Sequence, residues 1–238
     1  MTSGPQRSDD EADAVKNRYS RRIAAVDARR YSMLDPAAML GLQERQRATL
    51  RLFTRLGLKS LANLRLVEVG SGVGGNLIDF LRMGFYPEHL TGIELLPERV
   101  AQARRVLPKE VHLRTGDAAS AQIADASLDI VFQAVVFSSI LDDNFQQQLA
   151  NAMWRWTKRG GGVLWYDFVY DNPSNPDVRG VPLRRVRELF PEGRVNASRV
   201  TLAPPIARRV TAWHPVLYTL FNALPVLRTH VLCWIEKP

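Results

Sequence analysis

Leu66-Val67-Glu68-Val69-Gly70-Ser71-Gly72-Val73-Gly74-Gly75-Asn76 is the stretch that decides how this chain folds. A short apolar run ends in a turn built mostly of glycine, and an amphipathic stretch follows it, which reads as strand, tight turn and helix. Glycines at 70, 72 and 74 let the backbone approach something closely where side chains would obstruct it. Glu68 is a carboxylate inside an apolar strand, costly unless it has partners such as backbone amides or the ammonium group of a ligand. The alternative is a carboxylate that only braces the glycine turn.

On either side of this stretch, short apolar segments alternate with amphipathic ones, the pattern of a mostly parallel sheet flanked by helices. Strands are expected at 65–69, 90–94, 111–115, 128–133, 162–168, 194–202 and 229–236. Helices are expected at 75–83, 97–106 and 144–158, from about Pro182 and from about Ile206. Residues 1–15 read as a disordered tail, 16–60 as an N-terminal helical cap divided in two by Pro36, and 61–238 as the main α/β domain.

The second strand ends in Gly92-Ile93-Glu94-Leu95, about two dozen residues past the first glycine. That places a carboxylate where it can accept hydrogen bonds from the two hydroxyls of a ribose. The third is followed by Gly116-Asp117-Ala118, where an aspartate can accept from the exocyclic amine of adenine. Ligands of open α/β sheets bind at the carboxyl ends of the strands, so the three tips together read as an adenosyl site. The cofactor-binding set is Glu68, Gly70, Ser71, Gly72, Gly74, Asn76, Glu94, Leu95, Asp117, Ala118 and Gln133. Glycine turns also serve dinucleotides. The even spacing of Gly70, Gly72 and Gly74 suits a methionine moiety better than a pyrophosphate on a helix N-terminus.

These residues resemble a known family. Glu68 to Gly74 looks like the first motif of the class I S-adenosylmethionine-dependent methyltransferases; Glu94, Asp117 and the strand Leu128 to Gln133 resemble the three motifs that follow. Lys158-Arg159-Gly160-Gly161-Gly162 resembles the turn before that family's fifth strand, with Arg159 in place of proline. The likeness is close over about residues 60–170. VFSSILDD from Val136, LWYDF from Leu164, NPDVRG from Asn175 and RTH from Arg228 are similar to bacterial methyltransferase-domain proteins of unassigned substrate. The resemblance implies a Rossmann-like seven-stranded sheet of order 3-2-1-4-5-7-6 with the seventh strand antiparallel. It also implies S-adenosyl-L-methionine as cofactor, S-adenosyl-L-homocysteine as product, and an oxygen acceptor in a sugar, glycolipid precursor or secondary metabolite. An RNA methyltransferase and a non-catalytic binding module are the alternatives.

Methyl transfer from a sulfonium is an in-line displacement, so the reacting group should face the tips of the fourth and fifth strands. Ser138, Asp142, Tyr166, Tyr170 and Arg179 are the expected acceptor-side residues. Asp167 is the preferred general base, because a carboxylate in an apolar strand end can have a raised pKa; a strand-end aspartate that caps nearby amides is the other reading. His214 and His230 are further candidates, since imidazole titrates near neutral pH. Arg179 reads either as an anchor for an anionic group or as a loop arginine tied to a nearby acid. Tyr19 and Tyr31 are candidate lid contacts.

The net charge is +8, and 27 of the 32 basic residues are Arg. They sit in scattered pairs rather than in one aromatic-interleaved stripe, so nothing supports a nucleic-acid partner over a small-molecule acceptor. One cysteine, Cys233, leaves no disulfide framework, and no Cys and His cluster has metal-ligand spacing. The N-terminus lacks the apolar core of a secretory signal, so a cytoplasmic location is expected. Trp213 to Leu227 is apolar but broken by His214, Pro215, Asn222 and Pro225, and is too short to span a bilayer.

Overall fold

The computed structural model describes residues 11–18, 21, 32–173 and 175–238; Tyr19, Tyr31 and the first ten residues lie outside that set. A seven-stranded sheet runs β1 (Leu66–Val69), β2 (Leu90–Glu94), β3 (His112–Thr115), β4 (Leu128–Ala134), β5 (Thr157–Phe168), β6 (Arg194–Leu202) and β7 (Arg228–Glu236). Its order is β3-β2-β1-β4-β5-β7-β6. β1 to β5 pair in parallel, and β7 is antiparallel to both β5 and β6. It follows that β6 points the same way as β1, and its end shares the carboxyl edge with the glycine turn.

The helices are α1 (Pro36–Arg55), α2 (Gly75–Met83), α3 (Pro97–Val106), α4 (Asp143–Trp156), α5 (Leu183–Leu189), α6 (Pro204–Trp213) and α7 (Val216–Asn222). Pro36 opens α1 rather than dividing it: its missing N–H costs nothing at the first helical position, and Asp35 caps the helix by accepting from Ala37 N–H at 2.8 Å. Residues 11–18 are helical, so helix begins inside the stretch expected as tail. The helix expected to reach Lys158 ends at Trp156 instead. Thr157 already pairs with Leu128, and Gly160 takes a left-handed φ of 75°.

Alternation along the strands divides the core in two. Val67, Val131, Val163, Trp165 and Val231 face α4 and α5 in one cluster. Leu66, Phe132, Leu164, Tyr166 and Leu232 face α1, α2 and α3 in the other. Because side chains alternate along a strand, Tyr166 and Asp167 leave β5 on opposite faces. Val231, opposite Asp167, belongs to the α4 and α5 cluster; His230, opposite Phe168, therefore points to the α1 side.

Candidate functional site

The β1–α2 turn is folded by glycine where only glycine fits. Gly70, Gly72 and Gly74 have φ of 69°, 57° and 86°. A Cβ on Gly70 would lie 2.5 Å from Val136 Cγ2, and one on Gly74 2.7 Å from Leu107 Cδ1. The Gly70 and Ser71 amides donate to Ile93 O at 2.8 and 3.0 Å, which ties the turn to the end of β2. The buried Ser71 hydroxyl is directed at Gly92, where a Cβ would meet Ser71 Oγ at 2.6 Å.

Glu94 sits at the tip of β2 with one oxygen accepting from Gly72 N–H at 2.7 Å and the other from Leu96 N–H at 3.0 Å. Arg99 lies 3.8 Å away. Two amides and a guanidinium hold the carboxylate in one orientation, and each oxygen keeps a further acceptor site. Asp117 caps the next strand tip, accepting from Ala119 N–H at 2.9 Å beside buried Ala118. Leu95 lies half-buried between these acids.

Glu68 is fully buried. Asn76 Nδ2 donates to its Oε1 at 2.5 Å, while Oε2 has no hydrogen-bond partner. Desolvation pushes the carboxyl up to about 8 against the smaller pull of Asn76 and Arg45. A buried, unpartnered acceptor next to a glycine turn fits a cationic ligand group. These residues therefore suit the amino-acid tail and adenosyl group of the expected cofactor.

Gln133, expected on the cofactor side, is held by backbone groups at the end of β4. It is buried, with Oε1 accepting from Val136 N–H at 3.0 Å and Nε2 donating to Tyr166 O at 3.4 Å, so it braces the β4 turn. Asp142, expected on the acceptor side, caps a helix: its side chain accepts from Phe145 N–H at 2.7 Å. Arg179 is hydrogen-bonded to Asp143, the loop-arginine reading. His214 closes α6 in an exposed turn, where Nδ1 accepts from Val216 N–H at 3.2 Å.

Asp167 has no exposed surface, and its oxygens accept from Ser138 N–H at 3.2 Å and Phe168 N–H at 2.9 Å. Burial, opposed by these donors, pushes its carboxyl up to about 7. Ser138 is itself buried, its hydroxyl donating to Val135 O at 3.3 Å. On the opposite face His230 stacks on Tyr166, ring centroids 5.0 Å apart at 14°. Burial and Arg45 hold its imidazole down to about 4. Asp167 and His230 thus cannot form one proton-relay pair. Tyr170 is half exposed and borders a cavity of about 240 Å³ with Leu183, Ser198 and Arg199.

Other residues of the site gave no local signal. Arg45 of α1 donates to Asn76 Oδ1 at 2.5 Å and lies over the Tyr166 ring, 5.1 Å from its centroid. Glu44 accepts from Thr201 N–H at 2.9 Å, and Thr201 Oγ1 lies 2.9 Å from Tyr166 Oη. On the other face Glu11 accepts from Leu141 N–H at 3.1 Å, and Arg18 donates to Ser139 O at 3.2 Å. The N-terminal segment is thereby fastened to the turn after β4.

Residues 67–165 match the family described as Methyltransferase domain. No curated protein matches the sequence. Among solved structures, an S-adenosylmethionine-dependent methyltransferase from Mesorhizobium loti aligns with a TM-score of 0.57 at 13% identity, over 79% of this chain and 96% of that one. A SAM-dependent methyltransferase from Aquifex aeolicus gives 0.55 at 15%, over 91% and 97%. Phosphoethanolamine N-methyltransferase 1 of Haemonchus contortus, in complex with phosphoethanolamine and S-adenosylhomocysteine, gives 0.63 at 14%, over 100% of this chain and 50% of that one.

Proposed function

From the premise that residues 67–165 are a methyltransferase domain on the class I fold, with S-adenosylmethionine as its cofactor, we propose that the chain methylates an oxygen nucleophile on a small or medium-sized acceptor. A sugar, a glycolipid precursor or a secondary metabolite presents such a group. The observation that carries the reading is the set of acids around the glycine turn: Glu94 fixed by the Gly72 and Leu96 amides, with Glu68 holding one oxygen unpartnered.

A bound sulfonium supplies the activated methyl group, which leaves alignment, exclusion of water and proton removal to the chain. In this reading Glu94 accepts from ribose hydroxyls with its remaining lone pairs, Asp117 from the adenine amine, and Glu68 Oε2 from the ammonium. Asp167 takes the hydroxyl proton. Support for that role comes from a carboxyl pushed up to about 7, close to the pH at which a base works best. Two of its four or so acceptor sites are used by amides, so the same group also ties the Ser138 turn to β5.

The test is incubation of the purified chain with methyl-labelled S-adenosylmethionine and a panel of hydroxyl, amine and RNA acceptors. Label on a small hydroxyl compound, insensitive to salt, is the expected result. Transfer to an amine overturns the choice of oxygen, and salt-sensitive transfer to RNA overturns the acceptor class. Cofactor binding without transfer to any acceptor makes the chain a binding module.

A further inference from the structure

The insertion between β6 and β7 carries an apolar surface that methyl transfer does not explain. It leaves β6 after Leu202, forms α6, α7 and a short 3₁₀ turn at Pro225–Leu227, and re-enters the sheet at Arg228. Both ends lie on the carboxyl edge, the edge that holds the glycine turn. Its inner side is packed: Ala207 and Tyr218 form a cluster with Leu202 and with Ala37 of α1.

Its outer side is not. Trp213 is 86% exposed and Val226 80%, with Val216, Leu220 and Leu224 each more than half exposed. Val216 and Leu220 lie one turn apart on α7, with Trp213 at the end of α6 before them and Leu224 just past α7 after them, so exposed apolar side chains recur along the insertion as an apolar stripe. Exposed apolar groups scattered singly are ordinary, but a row of them with a tryptophan marks a contact surface.

Charge identifies the partner. Residues 193–235 contain no Asp or Glu, whereas Arg194, Arg199, Arg208, Arg209 and Arg228 fall within them. Arg208 and Arg209 are exposed on α6, one turn before Trp213. A second copy of the chain meeting this surface would bring like charges together with no carboxylate between them. An anionic phospholipid surface offers apolar chains to the stripe and phosphates to the arginines, the pairing that interfacial helices with a tryptophan and a basic flank satisfy.

We propose that the α6–α7 insertion docks on an anionic bilayer, Trp213 and the 216/220/224 stripe entering the headgroup region and Arg208 and Arg209 resting on phosphates. Such docking turns the carboxyl edge toward the membrane. If the methyl-transfer reading holds, on which this last step rests, the acceptor belongs to the amphiphilic class that partitions into the bilayer.

Flotation of the purified full chain with phosphatidylcholine vesicles, with and without about a third phosphatidylglycerol, tests the docking with no cofactor present. The chain should float with the anionic vesicles at least about tenfold better than with neutral ones, and release as salt rises. Leu220→Glu with Leu224→Glu, and separately Arg208→Glu with Arg209→Glu, should each lower flotation by about tenfold while leaving thermal unfolding and S-adenosylhomocysteine binding near those of the parent. Trp213 fluorescence should be quenched by brominated lipid. Absence of flotation, equal flotation of parent and variants, or a dimer in light scattering that the Leu220/Leu224 variant abolishes would overturn the proposal. Failure of cofactor binding instead would count against the methyl-transfer reading alone.

Discussion

Arg45 donates to Asn76 Oδ1 at 2.5 Å, and through that bond an arginine of the first long helix reaches the carboxylate in the first strand, because the other end of the same amide donates to Glu68. The guanidinium also covers the face of Tyr166 and lies 4.0 Å from Asp79. Helix α1 is therefore tied to the proposed cofactor side of the molecule, in addition to packing on β6 and β7. Arg45→Ala should cost about 2 kcal/mol of stability, the loss of one charge-assisted hydrogen bond and a partly buried cation–π contact. It should also weaken S-adenosylhomocysteine binding about tenfold, since Asn76 would no longer be held. Denaturant unfolding and titration calorimetry read the two effects, and Arg45→Lys should restore less than half of either, because an ammonium lacks the planar fork.

Glu68 makes stability depend on pH in a known direction. Burial pushes its folded carboxyl up to about 8 against an ordinary value of 4.5, so between these values the folded chain holds a proton that the unfolded chain has released. Its contribution is complete below 4.5 and is lost as pH rises through 8. His230 acts oppositely, losing stability as pH falls from 6.5 toward 4, and Asp167 has finished most of its change by about 7. Between pH 7 and 8 Glu68 remains the main contributor. The ligand-free chain should lose about 1 kcal/mol over that interval, and Glu68→Gln should flatten the slope. Calorimetry at pH 7.5 in two buffers of different ionisation enthalpy should further show proton release on cofactor binding, because an ammonium beside Oε2 lowers the carboxyl pKa.

Neighbouring glycines should respond in opposite ways. Gly74→Ala places a methyl in a left-handed conformation against Leu107 and should destabilise by about 1–2 kcal/mol or more. At Gly75, the first residue of α2, a Cβ meets nothing within 4 Å, so Gly75→Ala should be neutral or stabilise by up to about 1 kcal/mol. Thermal unfolding of the two variants side by side decides this.

Asp167→Asn keeps one oxygen to accept from the Ser138 or the Phe168 amide, turns an NH2 toward the other, and removes the proton acceptor. Turnover should fall about 10²-fold with cofactor affinity unchanged, and the rise of kcat near pH 7 should vanish. A variant that is merely less stable, with the pH profile intact, would assign the carboxylate to the turn alone.

The strands and the acids at their tips were legible because their signals are local. An apolar run into a glycine turn specifies β1; Glu94 is the last residue of its strand, and Asp117 stands two residues past the end of its own. What could not be read depends on distant partners. Arg45 lies 31 residues from Asn76, and Glu44 lies 157 from Thr201, so no window of sequence contains both members of either pair. Gln133 and Asp142 illustrate the opposite problem: polar residues near the reacting edge are also what turns and helix starts require, and both were used that way. The helix boundary after Trp156 shifted because a bulged register with β4 draws Thr157 into the sheet.

The central claim is that Glu94 holds the adenosyl ribose while the glycine turn receives the amino-acid tail. Titration calorimetry of S-adenosylhomocysteine against the parent and Glu94→Ala, with thermal unfolding confirming that the variant is folded, tests it most directly. The parent should bind, and the variant should bind about 10- to 100-fold more weakly through the loss of one or two charge-assisted hydrogen bonds. Equal affinity in the two proteins, or no binding by the parent, would contradict the assignment.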